Sequence, residues 1–279
     1  MPDGTRQVAA RGLTFDVRVG GPQDGAPVLL LHGFPQHSGQ WRAVAPALHA
    51  AGLRTVAPDQ RGYSPGARPA DVDAYRMDEC VADALALLST LDIETAHVVG
   101  HDWGAIVGWH LAAKHPHRVR TLTALSLPHP RAYARAIATD PQQQERAAYL
   151  QLFRIPGKAE QVLLAEDARR LRGIFVGLDP TLVEGYVRPL LEPGALTAAL
   201  AWSRAVSLAD AEGLGPVPLP TTYVWGDDDA AVAESAAYDC AAHVTGDYLF
   251  VPLAGAGHWL TDVAPDAVAE AVLARAGTA

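Results

Sequence analysis

The sequence predicts an α/β domain on a mostly parallel sheet, broken once by a helical insert. Three observations carry this. Strand-like and helix-like segments alternate with short connections, as helices laid over a parallel sheet require. The run Val28-Leu29-Leu30-Leu31 is apolar without alternation, the pattern of a strand covered on both faces. Between 131 and 215 the pattern is helical throughout, framed by Pro128 and Pro130 on one side and Pro216, Pro218 and Pro220 on the other.

Taken in order, Leu13, Phe15, Val17 and Val19 alternate with polar residues, which predicts a half-buried strand. The apolar run at 28–31 is the second strand, and 41–51 reads as a helix closed by Gly52. A strand at 54–57 ends at Pro58. A helix over 77–91 presents Val81, Ala84, Leu85 and Leu88 on one face. A strand at 97–99, a helix at 105–114 and a strand at 121–127 complete this part. The insert divides into helices at 135–149, 159–175, 181–191 and 194–209. The alternation resumes with strands at 221–225 and 248–251 and helices at 230–243 and 264–276. Residues 1–129 and 216–279 therefore form a core, and 130–215 a helical cap.

Composition excludes several classes of function. Of 279 residues, 49% are hydrophobic and 19% charged, ample for a buried core and unlike a disordered chain. The net charge of −9 and the lack of a basic run argue against nucleic acid as a partner. Cys80 and Cys240 make neither a disulfide framework nor a zinc pattern, which points to a reducing cytoplasm. The first twenty residues carry no apolar secretory segment, and no run is long enough to span a membrane.

The chemistry concentrates at three strand ends. Gly100-His101-Asp102-Trp103-Gly104 lies between a strand and a helix, in the pattern of a nucleophile elbow with Asp in the nucleophile's place. His258 sits in Gly255-Ala256-Gly257-His258-Trp259 after the last strand. Asp229 ends Trp225-Gly226-Asp227-Asp228-Asp229 after the strand before it. The order nucleophile, acid, base assigns Asp102, Asp229 and His258, with Asp227 and Asp228 as alternative acids. His32-Gly33-Phe34-Pro35 follows the 28–31 strand, and the backbone N–H groups of Phe34 and Trp103 together would form an oxyanion hole.

An Asp nucleophile narrows the reaction. With an ordinary pKa of about 3.9 it is ionised at neutral pH and needs no base to attack. It suits displacement at an sp³ carbon that carries an epoxide oxygen or a halide, which leaves an alkyl ester on Asp102. His258, held by Asp229, then activates water to hydrolyse that ester. No metal or cofactor is needed.

On these residues, together with Ala57-Pro58-Asp59-Gln60-Arg61-Gly62-Tyr63-Ser64, the chain resembles the α/β-hydrolase superfamily, and within it the epoxide hydrolase branch, over essentially its whole length. The resemblance implies an eight-stranded, mostly parallel sheet with helices on both faces, a cap over the site, and a cis Phe34–Pro35 peptide. It implies a product that is a vicinal diol and a substrate that is a small apolar epoxide, handled by a monomer or homodimer. It also implies cap tyrosines that hydrogen-bond the epoxide oxygen. Tyr149 stands where the first belongs, whereas Ser203, in Trp202-Ser203-Arg204, occupies the place of the second. Ser203 as a weaker donor, Tyr186 reaching the site, and Tyr149 acting alone are the open alternatives. Phe34, Trp103, Phe153, Trp202 and Ser203 are the expected pocket residues.

That departure keeps a haloalkane dehalogenase in view, since this branch shares His-Asp-Trp and binds halide through an indole N–H such as that of Trp103, with Trp202 as second donor. Fluoroacetate dehalogenases share His-Gly-Phe-Pro but carry Arg where this chain has Trp103. A binding protein that kept the fold and lost turnover is the alternative of another class.

Overall fold

A computed structural model describes residues 4–277, apart from the side chains of 208 and 209. The first three and last two residues of the expected core lie outside the described residues. Eight strands form one sheet: β1 (Gly4–Ala10), β2 (Leu13–Gly20), β3 (Ala26–Leu31), β4 (Leu53–Pro58), β5 (Ala96–His101), β6 (Val119–Leu125), β7 (Thr221–Gly226) and β8 (Tyr248–Leu253). Their order is β1-β2-β4-β3-β5-β6-β7-β8. Only β2 runs against its neighbours β1 and β4; every pairing from β4 to β8 is parallel.

Parallel strands need crossovers, and each crossover helix buries its apolar stripe on one sheet face. Helices Met77–Thr90 and Trp103–Lys114 cover one face. Helices Ala45–Ala50 and Pro265–Ala276 cover the other, over Val28, Leu30, Val99 and Val224. Trp41, Trp109 and Trp225 are buried in these layers as core packing.

The sequence pattern missed β1. Only Val8 and Ala10 of this edge strand are buried, so the period-2 signal is too short to stand out. The helix expected over 135–149 is instead two, Pro130–Thr139 and Pro141–Arg146, followed by the short helix Tyr149–Phe153. Pro141 has no N–H to continue the first helix, and the extended Asp140 before it caps the second by accepting the Gln142 N–H at 2.8 Å. The helix expected over 194–209 stops at Ala205, and Ser207 with Asp210 makes a capping box that starts Leu208–Glu212. The helix expected from 230 begins at Glu234, because residues 230–233 form the loop that holds Asp229.

Between β6 and β7 the chain leaves the sheet. Residues 130–212 form helices, among them Lys158–Arg172, whose backbone departs from helical values at 165–168, Pro180–Leu190 and Ala195–Ala205. Leu163, Leu171, Val183, Val187 and Leu200 share an apolar cluster with Phe34 and Trp259 of the sheet layer, which seats these helices above the C-terminal strand ends.

Candidate active site

Asp102 stands on the turn between β5 and the helix Trp103–Lys114, at φ 52° and ψ −120°. So sharp a turn brings backbone very close to backbone. A Cβ on Gly100 would sit 2.2 Å from the Gly104 oxygen, and one on Gly104 2.1 Å from the Leu31 oxygen. Glycine at both flanks is thus a steric requirement.

The Phe34 N–H donates to Asp102 Oδ1 at 2.8 Å, and the Trp103 N–H also donates to this carboxylate. The turn that aims Phe34 is held from below. Buried His32 donates from Nδ1 to the Gly33 carbonyl at 3.1 Å and accepts the Gln60 N–H at Nε2, at 2.9 Å. Burial drives its pKa down to about 4, so it remains the neutral imidazole that this pattern needs. The Phe34–Pro35 peptide is cis. This explains physically why 32–35 and 57–64 occur together: Gln60 Nε2 also donates to the His32 carbonyl at 2.6 Å.

His258 follows β8 and places Nδ1 3.0 Å from Asp229 Oδ1, with Nε2 3.8 Å from Asp102 Oδ2. Asp229 is fully buried and also accepts the N–H groups of Ala231 and Val232 at 2.8 and 3.2 Å. Its neighbours are placed otherwise: Asp227 is exposed and accepts the Gly255 N–H, and Asp228 is exposed. Of the three alternative acids, Asp229 is the one beside His258.

The charges are mutually adjusted. Burial raises the Asp102 carboxyl above its ordinary range, against the opposing effects of His258 and the two N–H donors. For Asp229 burial acts in the same direction, but His258, the Ser126 hydroxyl and the Ala231 N–H outweigh it and the pKa is lowered. Burial lowers the His258 pKa, yet the charges of Asp229 and Asp102 outweigh it and the pKa is raised. With Nδ1–H facing Asp229, Nε2 is the free base position toward Asp102.

A cavity of about 420 Å³ opens on Asp102, within the usual size range for small-molecule sites. Trp103, Tyr149 and Ser203 line it, with Ile106, Leu127, Ile137 and Leu150 as apolar wall. Three expected pocket residues are placed elsewhere. The Phe34 ring packs edge-on against Phe153, 5.2 Å between centroids, so both rings join the apolar cluster between the helices and the sheet layer; Phe34 reaches the site through its backbone alone. Trp202 is buried and its indole N–H donates to the Arg61 carbonyl at 2.8 Å. Successive helical residues point about 100° apart, so Ser203 lines the cavity while Trp202 beside it turns to the core. Tyr186 is also excluded: its hydroxyl donates to Asp262 at 2.9 Å and accepts from Arg42 at 2.6 Å, away from the cavity.

The sequence reading missed three supporting residues. Ser126, at the end of β6 with φ 66°, donates to Asp229 Oδ2 at 2.6 Å and lies 2.9 Å from His258 Nδ1. Arg146 donates to the Asp229 and Val232 carbonyls, and Gln143 bridges the Ala231 carbonyl and the Ala233 N–H at 2.8 Å each. The last two belong to the helical segment after β6, so that segment also braces the acid loop. Position at a strand end was the one available signal for Ser126; Gln143 and Arg146 sit 88 and 86 residues from partners that only folding brings near.

Among the described residues no cluster of His, Cys, Asp and Glu could hold a metal, and no helix is long and apolar enough to cross a membrane.

Residues 26–265 match the α/β hydrolase fold family. The chain is 34% identical to the AB hydrolase superfamily protein YfhM of Bacillus subtilis, over 95% of each chain. It is 32% identical to epoxide hydrolase A of Mycobacterium tuberculosis, over 96% of this chain and 95% of that one. Among solved structures, an epoxide hydrolase of the α/β hydrolase superfamily from hot-environment metagenomes superimposes with a TM-score of 0.87 at 27% identity, covering 99% of both chains. Epoxide hydrolase A of Mycobacterium thermoresistibile gives 0.85 at 27%, over 98% of both. The family match over residues 26–265 and similarity to epoxide hydrolases along nearly the whole length converge: the chain belongs to the α/β-hydrolase family, in its epoxide hydrolase branch.

Proposed function

We propose that this protein hydrolyses a small, largely apolar epoxide to a vicinal diol through an alkyl ester on Asp102. The observation that carries the reading is the Asp102 carboxylate itself, held by the Phe34 and Trp103 N–H groups and facing His258 across 3.8 Å. An ionised carboxylate attacks an epoxide carbon, the C–O bond breaks, and the oxygen leaves toward the Tyr149 side of the cavity, where a phenol donates a proton. The same two N–H groups then face the ester carbonyl oxygen. They stabilise the oxyanion formed when water, deprotonated by His258, adds to that carbon. Collapse expels the diol oxygen, which takes the proton from His258; the Asp102 carboxyl so regenerated returns its proton to the phenolate. Epoxide and water in, diol out, the balance closes without a cofactor.

Residues 130–215 act as the cap, closing the cavity above Asp102 and supplying Tyr149. A dehalogenase would use Trp103 and Trp202 as paired halide donors; the Trp202 N–H is committed to Arg61, which removes support for that reading. We place the protein in the cytoplasm, a reading supported by two buried cysteines that are not bonded to each other, and as a monomer or homodimer.

The test is a panel of terminal and aryl epoxides and of haloalkanes, assayed for diol and for halide. Diol without halide is the expected result, and halide alone overturns it. One turnover in ¹⁸O water should leave label in Asp102; diol formation that persists in Asp102→Ala rejects the ester mechanism.

A further inference from the structure

The helix Pro130–Thr139 begins at the end of β6 and presents Pro130, Tyr133 and Ile137 to the cavity. The spacing of three and four residues puts all three on one face. Tyr133 thereby reaches the same space as Tyr149, which comes from the separate helix Tyr149–Phe153. Tyr149 is 40% exposed as a whole, but its hydroxyl end turns inward, and the two phenol hydroxyls approach each other. Both lie close enough to Asp102 to feel its charge. Burial and that carboxylate push both phenols above their ordinary range, which keeps them protonated as donors.

A ring-opening epoxide oxygen develops negative charge on an atom with more than one lone pair, so two converging O–H donors stabilise it better than one. In this cavity Ser203 has a short side chain, and Tyr186 is occupied by Asp262 and Arg42. We propose that Tyr133 is the second hydroxyl donor to the epoxide oxygen, paired with Tyr149, and that Ser203 has no part in ring opening. This rests on the epoxide hydrolase reading above. As Asp102 bonds to carbon and the C–O bond breaks, one phenol transfers its proton to the leaving oxygen. The other donates a hydrogen bond, to that oxygen before transfer and to the phenolate after it. Hydrolysis of the ester later restores the proton, so the pair turns over without a further reactant.

The test is rapid-quench measurement of ester formation and ester hydrolysis with an aryl epoxide, in wild type, Tyr133→Phe, Tyr149→Phe, the double variant and Ser203→Ala. Tyr133→Phe is expected to slow ester formation by about ten- to hundredfold while ester hydrolysis stays within about twofold, and the double variant to fall below either single. A merely structural role would slow both steps. Ester formation unchanged in Tyr133→Phe, with wild type making diol, overturns the assignment and leaves the epoxide reading intact. A larger loss of ester formation in Ser203→Ala than in Tyr133→Phe also overturns it, whatever the folding of the Tyr133 variant. A wild type that makes no diol overturns both readings.

Discussion

Ser126 donates its hydroxyl to Asp229 at 2.6 Å, and the same oxygen stands 2.9 Å from His258 Nδ1. Asp229 and His258 are therefore joined by a third side chain, at the end of the strand next to that of Asp229, which fixes the direction of the imidazole. Ser126→Ala removes one hydrogen bond from a buried carboxylate that keeps two backbone donors. A loss of about 0.5–1.5 kcal/mol is expected, or roughly two- to tenfold. It should fall on ester hydrolysis, with ester formation unchanged in rapid-quench kinetics.

The two half-reactions should separate with pH. In the proposed mechanism hydrolysis needs neutral His258; in the free enzyme burial favours that form, but Asp229 and Asp102 raise the pKa above 6.5. Hydrolysis should thus decline as pH falls through the His258 pKa of the ester, where Asp229 alone still raises it, while ester formation continues until Asp102 itself is protonated, at a lower pH that burial has raised above 3.8. Intact-protein mass spectrometry after acid quench should show the alkylated form accumulating between these limits. Alkylation also removes the Asp102 charge. The limb measured on preformed ester should therefore lie lower than that of free enzyme.

Gly104→Ala would place its Cβ 2.1 Å from the Leu31 carbonyl oxygen, a backbone atom that cannot rotate away. The elbow must shift, at a cost of about 1–3 kcal/mol. A lower urea midpoint and a much larger loss of ester formation should appear together, because the same shift displaces Asp102.

Arg61 and Asp83 are both buried and joined by two hydrogen bonds of 2.6 Å, while the Arg61 carbonyl accepts the Trp202 indole. Asp83→Ala leaves a buried guanidinium without that partner and should cost about 3–5 kcal/mol in denaturant unfolding. The pair lies away from the cavity wall, so kcat at low temperature should change little.

Much of this was legible because it is local. A strand-to-helix turn that needs glycine on both sides, a run of apolar residues covered on two faces, and a His between glycines at a strand end are short patterns, and each constrains its own neighbourhood. The edge strand β1 was not legible because just two of its side chains are buried. The break at Asp140–Pro141 was legible in principle, since proline cannot continue a helix, but the periodic run on either side hid it.

Local pattern was enough for the α/β class, for a helical stretch between β6 and β7 and for candidate Asp, His and acid positions, because backbone propensity and strand-end position act over a few residues. It left three aspartates open as the acid; only the fold, by burying Asp229 beside His258, singled one out. It also placed Phe34, Phe153 and Trp202 in the pocket by type, whereas packing turned all three away from it. Which face of a helix meets a cavity, and which distant hydroxyl meets another, depends on how helices from separate parts of the chain dock. That is decided by long-range packing, so Ser126 beside Asp229 and Tyr133 beside Tyr149 emerge only in three dimensions.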